Sequence, residues 1–175
     1  AAKALVADAR KRVSKLISAQ PGQIYFSRGG TESISTAIQG VVHRAIRTGF
    51  TGMPHIITTT VEHPAVLETV AALESRGICS VTKLAVSADG IILLDELKKS
   101  LRPETVLVSV QYANNEIGSV QPISEIAKVI RQFKKTKDYQ LSTNNFPLFH
   151  TDAVQAVNYL DLHVDRLGVD LLSIS

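Results

Sequence analysis

Strand-like and helix-like stretches alternate along this chain, and that alternation constrains its fold more than any other feature. Runs rich in β-branched residues, such as HIITTT at 55–60 and TVLVSVQYA at 105–113, are separated by stretches with helical spacing of apolar residues. The clearest stripe includes Ile34, Ile38 and Val41. This order predicts an α/β fold, with a mostly parallel mixed sheet flanked by helices.

The apolar patterns and the turn residues also predict where each element lies. Helices are predicted for the first 16 residues and at 34–48, 64–76, 94–101 and 123–137. Strands are predicted at 23–27, 55–60, 79–86, 105–113, 147–152 and 169–175. The polar stretch YQLSTNNFP at 139–147 is predicted to be a loop.

Length and composition indicate a globular protein and exclude several classes. The chain has 175 residues, 45% of them hydrophobic and 20% charged, which suits one domain at 1–175. The net charge of +3 predicts no nucleic-acid partner, and no apolar run reaches the roughly 20 residues that span a membrane. The single cysteine permits no internal disulfide, so a cytoplasmic location is expected, or a mitochondrial one with a transit peptide.

Polar residues follow nearly every predicted strand. In a parallel sheet the carboxyl ends of the strands meet at one edge, where ligands bind. The residues predicted to converge there are Arg28-Gly29-Gly30-Thr31, Glu62-His63, Asn114-Asn115-Glu116, Thr151-Asp152 with Gln155, and Ser175. The sequence therefore predicts a ligand site at this edge.

Each of these residues alone also has a purely structural interpretation. The glycine pair could form a tight turn with Thr31 as a helix cap, and His63 could be an ordinary loop histidine. Asp152 could cap a helix that includes Gln155, and Cys79 is interpreted as a core cysteine.

Other ligand classes match the sequence less well. The phosphate-binding pattern G-x-x-x-x-G-K-[ST] and the dinucleotide pattern G-x-G-x-x-G are absent. His63, His150 and Asp152 could ligate a metal, but no second carboxylate or cysteine cluster supports one, so no metal site is predicted.

One cofactor matches the whole set of polar groups. A helix that begins after Gly-Gly-Thr favours an anionic group, His63 could stack on a flat ring, and Asp152 could pair with a basic ring nitrogen. Pyridoxal 5′-phosphate (PLP) has all three features, and an Asp beside its pyridine nitrogen keeps the ring protonated. The residues therefore predict PLP as the cofactor.

The motifs FSRGGTES, VEHPAV, ANNEIGSVQPI, HTDAVQA and VDLLSIS occur in this order. Together they resemble the cysteine desulfurases and selenocysteine lyases, PLP-dependent enzymes of aminotransferase class V and fold type I. The resemblance implies part of the large domain of such an enzyme, which removes sulfur from L-cysteine to give L-alanine and an enzyme persulfide. A selenocysteine lyase is the alternative enzyme, and a non-catalytic PLP-fold module or scaffold is the alternative of another class.

The resemblance also implies a role for each matching residue. His63 would stack on the cofactor ring and act as the catalytic residue that moves protons. The implied cofactor-binding residues and their contacts are Gly30, Thr31 and Ser175 (phosphate), His63 (ring), Asn115 and Gln155 (phenolic oxygen) and Asp152 (ring nitrogen).

The sequence departs from the family pattern in three respects. Arg28 stands where a small residue is usual, and Ile34-Ser35 replaces a common pair of polar residues. The Schiff-base lysine would follow directly after Ser175 and the catalytic cysteine further on, so the 175-residue chain is expected to be an incomplete, inactive fragment.

The resemblance implies partners as well as residues. L-cysteine or L-selenocysteine would be the substrate, and a sulfur or selenium acceptor protein is a further partner that the resemblance allows. It also implies a homodimer and a link with iron–sulfur cluster assembly.

Overall fold

The computed structural model of the chain describes residues 2–136 and 145–175. The helices are α1 (Ala2–Ile17), α2 (Gly30–Arg47), α3 (Pro64–Ser75), α4 (Leu94–Ser100), α5 (Ile123–Phe133) and α6 (Val164–Leu167). The strands are β1 (His55–Thr59), β2 (Ser80–Leu84), β3 (Thr105–Ser109), β4 (Leu148–Asp152) and β5 (Leu171–Ser173). The alternation expected from the sequence is thus present, although most of the predicted loop at 139–147 lies outside the described residues.

The five strands form one sheet in the order β2-β1-β3-β4-β5, and every neighbouring pair is parallel. The predicted α/β fold is confirmed. The sheet was expected to be mixed, but antiparallel pairing among the described residues is limited to two isolated bridges, Val86 with Ile92 and Ala113 with Val120. Because all strands run in one direction, their carboxyl ends lie at the same edge.

The strand predicted at 23–27 is wrong. Pro21–Gln23 form a short 3₁₀ helix, and the residues after it pair with no strand of the described sheet. Ile24 is buried, but Tyr25 is 86% exposed and Phe26 is 52% exposed. The apolar run therefore contributes one side chain to the core, and the loop before α2 does not follow a strand.

Helices cover both faces of the sheet. On one face α2 and α3 pack against each other and bury residues such as Ile34 and Val66 against Ile56 of β1. On the other face α4 and α5 bury Leu97 and Ile126. Burial on both faces explains why β1 and β3 are fully buried and rich in aliphatic residues.

The helix ends follow local sequence signals. Pro64 is the first residue of α3, and Gly77 follows its end with a φ of 67°, as the sequence predicted. The α5 helix begins at Ile123 and ends at Phe133, four residues before its predicted end. Within residues 2–136 and 145–175, every helix is too short or too polar to be a membrane span.

Candidate cofactor-binding site

The parallel sheet brings the predicted polar residues to one edge. His63 follows β1, Asn115 follows β3, Asp152 is the last residue of β4, and Ser175 follows β5. Since β4 lies between β3 and β5, Asp152 has the β1 and β3 loops on one side and Ser175 on the other. The strand order therefore makes Asp152 the central residue of this edge.

The beginning of α2 packs against the ends of β4 and β5. A Cβ atom added at Gly30 would lie 2.8 Å from Val154 Cγ2 and 3.7 Å from Ser175 Cβ, so only a glycine leaves these neighbours undisturbed. Gly29 is the N-cap and Thr31 is exposed in the first helical turn. The first amides of a helix lack intrahelical acceptors and favour an anion, so this corner suits a phosphate.

A short hydrogen bond folds the acidic residue of this turn back toward the preceding loop. Glu32 Oε2 accepts from the Arg28 backbone N–H at 2.6 Å. The donor lies one residue before the N-cap Gly29, so this contact is not the N-cap bond of a capping box, and it occupies one oxygen of the carboxylate within the chain. The two residues that depart from the family pattern differ in burial. The Arg28 side chain is exposed, whereas the Ile34 side chain is buried in the core, where an apolar residue packs well.

Asp152 is buried without a cationic partner. Its Oδ1 accepts the Val154 backbone N–H at 3.0 Å, and Oδ2 has no hydrogen bond from a described residue. Burial raises the pKa of Asp152, while the Val154 hydrogen bond and the nearby His63 oppose that rise. Because residues 154–159 form turns instead of a helix, Asp152 closes a turn and does not cap a helix.

His63 faces the same region with one ring nitrogen in use. It is the N-cap of α3, and its Nδ1 accepts the Ala65 backbone N–H at 3.1 Å. Its Nε2 has no hydrogen-bond partner among the described residues. His63 is half-buried, and its proximity lowers the pKa of Asp152, opposing the effect of burial.

The paired asparagines after β3 differ in their contacts. Asn114 Nδ2 donates to the Val61 carbonyl at 2.8 Å, so this side chain joins two loops. Asn115 is exposed, and its Oδ1 accepts only a long hydrogen bond of 3.5 Å from Gln111 Nε2. Asn115 is thus the member of the pair whose amide remains accessible to a ligand.

A cavity of about 200 Å³ lies between the loops after β1 and β3 and is lined by Thr60–Pro64 and Asn114–Ile117. Thr31, Asp152 and Ser175 do not line it. Gly30 and Ser175 meet at the other side of Asp152, and Gln155 is exposed on the turn that follows it. The predicted residues therefore share one edge, in two groups separated by Asp152.

Sequence reasoning assigned no role to Glu62, which is buried at this edge. Its carboxylate accepts hydrogen bonds from Thr59 Oγ1 at 2.7 Å and from the Gln111 backbone N–H at 3.0 Å to each oxygen. Burial raises its pKa to about 8, the charge of Asp152 adds to the rise, and the hydrogen bonds from Thr59 and Gln111 oppose it. The sequence gives no sign that this acidic residue is buried. One of its hydrogen-bond donors, Gln111, is 49 positions away along the chain, and only the fold brings it near.

Cys79 and His150, two further residues considered from the sequence, make contacts that serve the fold. Cys79 is buried in the core, and burial raises the pKa of its thiol to about 11, as expected for a core cysteine. Both ring nitrogens of His150 hydrogen-bond to serine hydroxyls. Within residues 2–136 and 145–175, no group of three or more His, Cys, Asp or Glu side chains is arranged to hold a metal ion.

The chain matches the family model for aminotransferase class-V over residues 1–175, and it belongs to that family. It is 44% identical over 170 residues to the cysteine desulfurase IscS of Dictyoglomus turgidum, and this match covers 97% of the chain and 39% of that relative. It is 42% identical to the mitosomal cysteine desulfurase of Trachipleistophora hominis, with 97% and 35% covered.

A solved structure is similar in fold as well as in sequence. The structure described as SspA in complex with cysteine superposes with a TM-score of 0.83 at 34% identity, covering 97% of this chain and 44% of that one. The present chain therefore spans well under half the length of the proteins that it matches. Class V aminotransferases and cysteine desulfurases are PLP-dependent, which agrees with a donor set suited to an anionic group and a protonated ring nitrogen.

Proposed function

We propose that the protein containing this chain is a PLP-dependent cysteine desulfurase and that residues 1–175 supply much of its cofactor-binding surface. The observation that carries the proposal is the buried Asp152 carboxylate, which has a free oxygen and no cationic partner among the described residues. A buried, unpaired carboxylate is costly unless a ligand pairs with it. A pyridinium nitrogen is a partner of the required charge.

The phosphate end of the cofactor would bind where α2 begins. The Gly30 backbone can approach a ligand closely because it has no side chain, and Thr31 and Ser175 add exposed hydroxyl groups. The helix N-terminus contributes unpaired amides and a favourable dipole. These groups hold a dianion in position without a lysine or arginine.

The ring end would lie against Asp152 and His63. Asp152 would keep a proton on the pyridine nitrogen, and PLP in that state is an electron sink for a carbanion at the substrate Cα. His63 would stack on the ring, with Nε2 as the atom that can move a proton because Nδ1 accepts the Ala65 amide. Asn115 and Gln155, both exposed, would hydrogen-bond the phenolic oxygen.

The reaction that we propose transfers sulfur from L-cysteine to an enzyme thiol. The Cβ–S bond of cysteine breaks, the sulfur joins the thiol to form a persulfide, and the remaining fragment is released as L-alanine. A relative of this chain is described in complex with cysteine, which supports this substrate. L-selenocysteine is the alternative substrate, and the acceptor protein, the homodimer and the link with iron–sulfur cluster assembly remain part of the proposal.

The cellular location also remains a prediction. The cytoplasm is proposed, or the mitochondrion if the complete protein has a transit peptide. Relatives include a mitosomal and a mitochondrial cysteine desulfurase.

The test is to replace Asp152 with Asn and with Ala in the complete gene product, saturate each variant with PLP, and measure alanine release from L-cysteine. Loss of one charged hydrogen bond should weaken PLP binding about tenfold to a hundredfold. Turnover should fall further, because the carboxylate matters most when charge develops in the ring. Asp170→Asn is the matched control, since Asp170 also accepts a backbone N–H, from Phe149 at 2.8 Å, at the opposite edge of the sheet.

The turnover and PLP-binding measurements distinguish the proposed enzyme from its alternatives. Normal turnover of Asp152→Asn at PLP saturation would reduce Asp152 to a turn residue and refute its proposed role. Faster alanine release from L-selenocysteine than from L-cysteine would identify a selenocysteine lyase. A complete gene product that binds no PLP would be the non-catalytic module.

A further inference from the structure

Glu62 lies directly before His63, in the loop that joins β1 to α3. Its side chain is buried, and all of its hydrogen bonds are received: one from the Thr59 hydroxyl and two from the Gln111 backbone N–H. The first donor is the last residue of β1, and the second lies just after β3. One carboxylate therefore joins the carboxyl ends of two neighbouring strands.

A second contact joins the same two loops one residue earlier. Asn114 Nδ2 donates to the Val61 carbonyl at 2.8 Å, and Asn114 Oδ1 accepts the backbone N–H groups of Glu116 and Ile117 at 2.8 and 2.9 Å. The β1 loop is thus tied to the β3 loop at Val61 and at Glu62. The next residue in the chain is His63, whose place is set by these ties and by the start of α3.

Burial of the Glu62 carboxyl group destabilises the fold if the side chain serves only to fill space. Burial raises its pKa to about 8, and it forms no salt bridge within the described part of the chain. Buried carboxylates of this kind contribute little to stability compared with an apolar residue of similar size. What the carboxylate provides is geometry, because its two oxygens can accept from a hydroxyl and a backbone amide at once.

We propose that Glu62 is a positioning residue that fixes the loop after β1 to the end of β3 and so sets His63 in place across from Asp152. This inference rests on the proposed function, in which His63 stacks on the PLP ring and moves a proton. Glu62 lines the same cavity as His63, but both of its carboxylate oxygens are occupied by hydrogen bonds from Thr59 and Gln111, so it acts through His63.

The main variant is Glu62→Gln in the complete gene product. Glutamine keeps the volume of the side chain and an acceptor for Thr59 at the Oε1 position, but its NH₂ group at the Oε2 position places a donor 3.0 Å from the Gln111 backbone N–H. Displacement of a catalytic group by about 1 Å can cost a hundredfold in rate, so we expect kcat to fall roughly tenfold to a hundredfold with PLP still bound. The visible circular dichroism of bound PLP should change, because this signal reports the asymmetric surroundings of the ring.

A matched control is available on α3 itself. Glu74 Oε1 accepts the Val81 backbone N–H at 2.9 Å and so joins the end of α3 to β2, away from the site. Glu74→Gln makes the same substitution and perturbs one backbone contact, and it should leave kcat and the circular dichroism of PLP unchanged.

A double-mutant cycle tests whether Glu62 acts through His63. In a His63→Ala background, Glu62→Gln should lower kcat by less than twofold. A full additional loss in that background would overturn the inference, as would a normal kcat and a normal PLP spectrum for Glu62→Gln with only a lower melting temperature. The proposed function fails separately if His63→Ala alone leaves kcat unchanged.

Thr59→Val provides a milder form of the same test. It removes the hydroxyl donor to Glu62 Oε1 and keeps the shape of the buried side chain. The same direction of change is expected in kcat and in the PLP spectrum, with a smaller amplitude. This variant decides the question if Glu62→Gln yields no soluble protein, and unchanged kcat and spectrum for it would then overturn the inference.

Discussion

His55 and His150 are both fully buried in the sheet, and each bridges two hydroxyl groups. His55 begins β1 at the amino edge, with Nδ1 3.0 Å from Thr105 Oγ1 and Nε2 2.8 Å from Thr82 Oγ1. Burial lowers the pKa of both rings to about 4, and the Arg102 charge adds to this for His55. Each ring is therefore neutral near pH 7.

The two histidines differ in what lies beyond their partners. His150 Nδ1 is 2.9 Å from Ser109 Oγ, and its Nε2 is 3.0 Å from Ser173 Oγ. Ser173 Oγ also accepts from Ser33 Oγ at 2.9 Å, and Ser33 lies in the first turn of α2. The chain of hydrogen bonds around His150 therefore reaches the proposed phosphate site, whereas the one around His55 reaches the two neighbouring strands and the Arg102 backbone N–H, which donates to Thr105 Oγ1 at 3.0 Å.

The same local arrangement of imidazole and hydroxyl groups therefore serves two purposes in this fold. At the amino edge the histidine stabilises strand pairing, and at the carboxyl edge it also holds a helix N-terminus beside Asp152. The difference comes from position in the fold, since both sites use the same pairing of imidazole and hydroxyl groups.

Removal of either imidazole ring should destabilise the protein more than any other change considered below. His55→Leu leaves the hydroxyl groups of buried Thr105 and half-buried Thr82 without the ring, and His150→Leu does the same to two buried serines, so each should lower the free energy of unfolding by about 2–5 kcal/mol. His150→Leu alone should also weaken PLP binding, roughly tenfold, because α2 loses part of its attachment to the sheet. Denaturant unfolding and PLP titration of the complete gene product check this. An equal loss of PLP affinity in both variants would remove the distinction between the two edges.

The next effect is a pH dependence that both histidines should share. The folded-state pKa of each ring is lowered from 6.5 to about 4, so the unfolded chain takes up protons first as the pH falls. Stability contributed by the neutral rings is complete above pH 6.5 and is lost between pH 6.5 and 4, with a slope of up to about 1.4 kcal/mol per pH unit for each ring. The stability difference between wild type and either Leu variant should therefore shrink from pH 7 to pH 5. A stability difference that stays constant from pH 7 to pH 5 would contradict the lowered pKa values of the two rings.

A smaller effect is expected at the start of α2. Gly30→Ala places a Cβ atom 2.8 Å from Val154 Cγ2, so Val154 must move. Because the Val154 N–H bonds to Asp152, the shift should reach the centre of the site. We expect PLP affinity to fall about tenfold, which corresponds to about 1.4 kcal/mol. Unchanged affinity, measured by titration of the complete gene product, would separate Gly30 from the phosphate site.

A substitution at Gly40, in the same helix, is the control and should have the smallest effect. Gly40 is exposed in the interior of α2, and a Cβ atom added there would meet nothing within 4 Å. Alanine has the higher helix propensity, so Gly40→Ala should raise the free energy of unfolding by about 0.5–1 kcal/mol and leave PLP affinity unchanged. Denaturant unfolding measures the gain, and a loss of stability would mean that Gly40 has a contact outside this chain.

Much of the fold was predictable from local patterns. The predicted strands from β1 to β5 and the helices from α1 to α5 occur in the structure, with shifted ends. Pro64 and Gly77 marked the limits of α3, because proline and glycine constrain backbone angles wherever they occur. The strand predicted at 23–27 failed because a strand needs a partner, and an apolar run cannot indicate whether a neighbouring strand is available.

The site was predictable only in part. Gly30, His63, Asn115, Asp152 and Ser175 were expected at one edge, and they lie there, although their roles in binding PLP remain predictions. Glu62 received no role because its importance depends on burial and on donors from elsewhere in the fold.

The local features were already encoded in the order of the residues: the alternation of helices and strands, a glycine where α2 begins, and a carboxylate at the end of β4. These depend on residues that are close along the chain. The strand order that makes Asp152 central, the burial of Glu62, and the different surroundings of His55 and His150 arise only from the three-dimensional packing. The physical reason is that strand order and burial result from packing between distant segments, so the same residue type acquires its charge state and its role from its neighbours in space.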